Sequence, residues 1–172
     1  MTSSPQLAFD DDLDYEVVDG QKEVKMAGAK HGGIGAKLII EAGIYLKQNP
    51  VGRLYSSNTT FQIGANERMP DVGFVSAARI PAEGEPSGKW EIAPDLAVEV
   101  ISPNDIWDKV NRKVLEYFAA GVRQVWLVSQ PERQVMIYDS PTQIRIVTAG
   151  EELTSEAILP GFKCRVADLF SD

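Results

Sequence analysis

Only one cysteine, Cys164, occurs in 172 residues. A lone thiol excludes an intrachain disulfide and any cysteine-rich metal centre. Lys163 and Arg165 flank it, but no paired base is evident, so it reads as an inert small side chain. No apolar run approaches the ~20 residues needed to cross a bilayer, and no membrane partner is expected. The opening MTSSPQLAFDDDLDYE has neither the basic nor the apolar segment of an export signal, which makes the cytoplasm the expected location. Positive charge is also in short supply: 17 Lys and Arg face 25 Asp and Glu, a net charge of −8. Seven of those acids and one lysine fall in Met1–Glu23, leaving 18 acids and 16 bases in a nearly neutral body. A uniformly basic nucleic-acid surface is therefore excluded. A local basic groove is not, because Lys109, Arg112, Lys113, Arg123 and Arg133 lie close in sequence. The segment GGIGAK lacks phosphate-loop spacing, and no Ser or Thr follows Lys37.

Hydrophobic residues make up 44% of the chain and charged residues 24%, ordinary values for a globular protein. The length fits a single domain over 15–172 behind an acidic lead-in at 1–14. Tyr15–Val18 and Lys22–Met26 flank Asp19-Gly20, a hairpin signal in which Gln21 allows a longer loop. Ala29–Gln48 reads as a helix, with Ile34, Leu38, Ile39, Ala42, Tyr45 and Leu46 at helical spacing. Gly52–Ser56 and Phe61–Ile63 form an expected strand pair about Asn58. A further strand is expected over Met69–Val75, and Arg79–Trp90, rich in Pro, Gly and Glu, is a surface loop. Gln124–Val128 and Gln134–Tyr138 alternate as strands joined by SQPER. Another strand is expected at Ile144–Val147 and a short turn at Val166–Phe170. Strands interleaved with two main helices give a mixed α/β or α+β class.

The chain is organised around Ala93–Gly121. Ala93–Ile101 is an apolar run of buried-strand type. Alternation sends Leu96, Val98 and Val100 to one face and Asp95, Ala97, Glu99 and Ile101 to the other. A carboxylate at Glu99 is costly there unless a cation, a metal or several donors meet it. Asp95 is expected to be a structural acid at the strand's start. Ser102-Pro103-Asn104-Asp105 carries the letters of a helix N-terminus, with Ser102 as the cap, and Gly121 marks the stop. Ile106, Trp107, Val110, Val114, Tyr117 and Phe118 form one stripe, so Trp107, like Trp126, is expected in the core. Lys113 lies within about 20° of Ile106 on the wheel and can edge the core near a buried acid; Lys109, about 60° away, faces water.

Asp71 opens one strand, Glu99 sits in another and Lys113 projects from the following helix. Two carboxylates on neighbouring strands suit Mg²⁺, which takes oxygen ligands and retains waters, and the Val100 carbonyl can add a ligand. Such a metal polarises a phosphate and acidifies a bound water, while an ammonium steadies the charge that develops. Acid, acid and lysine form a minimal kit for phosphodiester cleavage.

At these residues the chain resembles the PD-(D/E)XK nuclease superfamily, and within it the bacterial restriction-endonuclease-like family Uma2. The matching segments run in order from YEVVDGQ, through His31, RMPDVGFVS, PDLAVEVISP and KVLEYFAAGV, to QVWLVSQPERQVMIY. The resemblance implies a restriction-endonuclease-like fold, a central mixed β-sheet flanked by helices. It implies Pro70-Asp71 as the PD half, Glu99 as the second acid and Mg²⁺ or Mn²⁺ as cofactor. DNA is the implied substrate and a homodimer the implied form. Isoleucine stands at position 101 where the motif has lysine, and the resemblance implies that Lys113 takes over. His31, as proton carrier or DNA contact, and Glu16, near the metal, are accessory candidates; each has a plain structural alternative at its helix start or hairpin. Two rival functions remain: a nuclease-fold protein that binds DNA or protein without cleaving, and an acidic scaffold with buried ion pairs.

Overall fold

The computed structural model describes residues 13–171, and the lead-in expected over 1–14 lies almost wholly outside them. Strands β1 (Tyr15–Val18) and β2 (Gln21–Val24) form an antiparallel hairpin. Its two-residue turn has Asp19 at φ 51° and Gly20 at φ 77°. Positive φ at both central residues marks the tight turn whose twist matches paired strands, so Gln21 belongs to the strand and not to a longer loop. Helix α1 (Ala29–Gln48) has the bounds its periodicity predicts and buries Ile34, Gly35, Leu38 and Ala42.

Strands β3 (Gly52–Ser56), β4 (Phe61–Ile63), β5 (Asn66–Arg68) and β6 (Val72–Ser76) follow. Here the expected β3–β4 pair does not form. β3 runs antiparallel to β6, with Gly52 opposite Ser76, while β4 turns back on the unanticipated β5. The chain changes sheets at Asn58, where the Thr59 N–H bonds the Ser56 carbonyl at 3.0 Å. The Arg79–Trp90 loop begins with a 3-10 turn, Ala77–Arg79. It ends on a Trp90 that is buried and bonded to the backbone beside β4.

Then come β7 (Leu96–Ile101), α2 (Trp107–Ala119), β8 (Gln124–Ser129), β9 (Gln134–Ser140), β10 (Gln143–Thr148), β11 (Glu152–Ser155), β12 (Leu159–Arg165) and the single-turn α3 (Val166–Leu169). The central sheet has six strands in the order β10-β9-β8-β7-β6-β3. Within it only β7 and β8 are parallel, and α2 supplies the crossover that a parallel pair needs. A second sheet, β2-β1-β5-β4, and the pair β11-β12 complete the fold. β11 and β12 were not expected from sequence.

The central sheet is covered on both faces. Val72, Phe74, Leu96, Val98, Val100 and Trp126 pack with Ile34, Leu38 and Ala42 of α1. Ala97, Val125, Leu127 and Tyr138 pack with Val114 and Tyr117 of α2 and with Phe61 of β4. The alternation read along β7 is the observed one.

Helix α2 starts later than its capping letters predict. Asp105 accepts the Ser102 N–H at 2.7 Å and closes a separate turn, so Ile106 is the cap residue and the helix begins at Trp107. Ile106 and Trp107 are in consequence 59% and 52% exposed, and neither belongs to the core. The helix ends as expected, with Gly121 at φ 95°. Cys164 is buried, and burial pushes its thiol up to about 12. No helix among the described residues is long and apolar enough to cross a membrane.

Candidate active site

Strand register brings the two acids together. β6 and β7 pair Val72 with Val98, so one step further Asp71 comes opposite Glu99. The Val100 N–H donates to Asp71 Oδ2 at 2.7 Å, tying the acid to β7 just where β6 begins. A residue's N–H and C=O leave an extended strand on the same edge. The Val100 carbonyl therefore emerges on the Asp71 side, whereas the Ile101 carbonyl accepts from Gln130 N–H.

Lys113 reaches this pair from α2. Its Nζ lies 2.9 Å from Glu99 Oε1 and 2.9 Å from Glu16 Oε1. The Tyr117 hydroxyl, one helical turn on, also donates to Glu99 Oε1. Burial disfavours the Lys113 ammonium, but Glu99 and Glu16 outweigh it and push the group up to about 12. Burial pushes Glu99 above the usual carboxylate range, against the opposing Lys113 charge. Glu16 has both oxygens engaged. Oε1 also accepts the Met69 N–H at 2.8 Å, and Oε2 accepts from Arg68 at 3.0 Å. Arg68 in turn bonds Glu116 of α2 at 2.6 Å.

On the other side of Asp71, His31 of α1 lies 2.8 Å from Oδ2 through Nε2 and 3.3 Å from Ser102 Oγ through Nδ1. That bond to Asp71, more than any other cause, raises the His31 pKa. Lys25 Nζ stands 2.9 Å from Asp71 Oδ1 and donates to the Met69 carbonyl. Burial would raise the Asp71 pKa, but His31, Lys25 and the Val100 N–H hold the carboxyl well below its usual range. Glu16, Lys25, His31, Asp71, Glu99 and Lys113 line one cavity of about 330 Å³ between α2 and the hairpin, with Arg68 and Tyr117 at its wall.

Among the described residues no three His, Cys, Asp or Glu side chains enclose a metal position. Two carboxylates, one carbonyl and retained water nevertheless make a donor set that fits Mg²⁺, which is commonly held by one or two acids. One detail of this chain adds to the fit. Asp71 Oδ1 is buried and accepts no hydrogen bond among the described residues.

A family model described as "Putative restriction endonuclease", named Uma2, matches residues 3–167. The chain belongs to the Uma2 family. A solved structure from Anabaena variabilis ATCC 29413, described as a "putative nuclease belonging to DUF820", superposes with a TM-score of 0.79 at 23% identity. The match covers 91% of this chain and 89% of that one, and it supports the restriction-endonuclease-like fold. No curated protein matches the sequence. Membership in Uma2 places the chain in a nuclease family.

In this Uma2 chain Asp71, Glu99, Val100, Lys113, His31 and Glu16 all meet at the cavity. Lys109 lines it too but is exposed. The five basic residues near α2 do not form one groove. Arg112 pairs with Asp19 at 2.6 Å, Arg123 bonds the Ala157 carbonyl, and Arg133 lies over the Phe170 ring. Asp95 is structural, accepting the Ser76 N–H at 2.8 Å and pairing with Arg79 at 3.1 Å. Sequence reasoning missed Lys25, Arg68 and the polar use of Tyr117. Only the last left a signal, since a buried tyrosine hydroxyl requires a partner.

Proposed function

We propose that the protein is a metal-dependent DNA endonuclease that hydrolyses phosphodiester bonds at this cavity. The observation that carries the reading is the meeting of Asp71, Glu99 and Lys113 from three separate elements. Asp71, Glu99 and the Val100 carbonyl would hold Mg²⁺ or Mn²⁺. Once bound, such an ion polarises the phosphate and acidifies a water.

The chain's own groups do the rest. His31 and the Val100 N–H fix the Asp71 carboxylate through Oδ2, which keeps Oδ1 turned toward the cavity. Glu16 holds Lys113 against Glu99. Lys113 is an ammonium at neutral pH, so its part is to orient the attacking water and offset phosphate charge rather than to take a proton. The water oxygen forms the new bond to phosphorus as a bridging P–O bond breaks. The proton it loses passes to solvent, and the departing oxygen is protonated in turn. A homodimer would supply two such cavities, one for each strand of a duplex.

A second reading is a nuclease-fold module that binds without cutting. It is favoured by the lysine already seated on each acid. Plasmid cleavage separates the two. With Mn²⁺ the wild type should nick supercoiled DNA, while Asp71→Asn, Glu99→Gln and Lys113→Met should each lose at least about 100-fold in rate and still melt cooperatively. A wild type that binds DNA but never cuts it favours the second reading.

A further inference from the structure

We infer that the Lys25 ammonium sits where a divalent cation would meet Asp71, so that metal must displace Lys25 to bind. The inference rests on the metal-dependent reading above and concerns a residue outside the acid–acid–lysine set.

The two oxygens of Asp71 are treated differently. Oδ2 receives directed bonds from Val100 N–H and stands 2.8 Å from the His31 ring nitrogen. Oδ1 is buried and accepts no hydrogen bond among the described residues, although the Lys25 nitrogen is only 2.9 Å away. The bond that Lys25 donates goes instead to the Met69 carbonyl. Oδ1 therefore faces a positive charge without a directed bond. A divalent cation that coordinates Oδ1 directly would replace this single ammonium contact. Mg²⁺ does so at about 2.1 Å and with twice the charge of an ammonium.

Lys25 is also placed to leave. It follows the last residue of β2, which pairs only with β1 at the outside of its sheet and whose four residues are all exposed. The next residue, Met26, is 86% exposed. The side chain itself is 15% exposed, but it extends from the end of an edge strand rather than from a helix packed on the sheet. Lys113 is different: it projects from the middle of α2, bonded to Glu16 and paired with Glu99. Of the two ammoniums, Lys113 is built in and Lys25 is exchangeable. Its departure would open Asp71 to the metal and free a cation on the cavity's hairpin side.

A Mn²⁺ titration of the full chain, read as the rise in melting temperature, tests this without recourse to activity. Lys25→Met removes the charge and keeps the bulk; Lys25→Gln removes the charge and keeps a donor for the Met69 carbonyl. Both should lower the half-saturating Mn²⁺ concentration by about tenfold or more. Lys109→Met, which removes an equal charge from the same cavity without touching Asp71, should change it by less than about threefold. An unchanged or raised midpoint in both Lys25 variants overturns the inference and leaves the metal site standing. An equal fall in Lys109→Met also overturns it, because the effect would then be one of net charge. If neither the wild type nor any variant responds to Mn²⁺, the metal-dependent reading fails and the inference falls with it.

Discussion

Glu16 ties three segments of the site together. Three donors reach it, from β5, from the segment after β5 and from α2. Replacing it by glutamine leaves Arg68 and Lys113 facing a neutral amide, at a cost of about 3 kcal/mol at pH 7. The sign of the pH dependence follows from its environment. Burial alone would raise the Glu16 pKa, but Lys113, the Met69 N–H and Arg68 together hold it below the ordinary 4.5. A carboxyl lowered in the folded state stabilises above its unfolded value, and that contribution disappears as pH falls through the folded one. Thermal melts should therefore show the gap between wild type and Glu16→Gln at its full width above about pH 4.5 and narrowing as the pH falls further. From its residues Glu16 is legible as a hairpin acid and from the family resemblance as a group near the metal, but nothing local indicates that Arg68, 52 residues away, will be its partner.

At the scale of elements, legibility followed length and periodicity. α1 was found to the residue because 20 residues repeat one apolar face. β5, with the sequence NER, has no apolar face to read, and β12 carries Pro160 and Gly161 inside a strand. β3 and β4 looked like a local hairpin, but each pairs elsewhere, and neither pairing can be seen in a short window. The start of α2 failed for a different reason. Asp105 uses its carboxylate to close a turn on Ser102, and the helix begins one turn later than the letters suggest. That shift takes Trp107 out of the core, with a measurable consequence. Trp107→Ala should cost less than about 1 kcal/mol. Trp126→Ala, deep in the sheet and stacked on Phe162, should cost about 3–5 kcal/mol in denaturant unfolding.

Across the whole molecule, one topological fact explains why a lysine missing from its strand need not be missing from the site. β7 and β8 are parallel, and α2, which carries the chain between them, crosses the sheet face that bears Glu99. A lysine in the middle of that helix arrives at the same carboxylate that one two residues along the strand would reach. Isoleucine at position 101 can then serve as packing. The near-neutral body with few unpaired cations at the cavity also bears on binding. DNA affinity of the Glu99→Gln variant should fall with salt at a log–log slope of about −2 to −3, as for two or three phosphate contacts. A slope steeper than about −6 would reveal a second basic surface.

The most direct measurement is an anomalous difference map from crystals grown with Mn²⁺. A single peak should appear about 2.1 Å from both Asp71 Oδ1 and a Glu99 oxygen, with Lys113 still beside Glu99. No peak in the cavity, or a peak that only one of the two acids touches, would contradict a shared metal site.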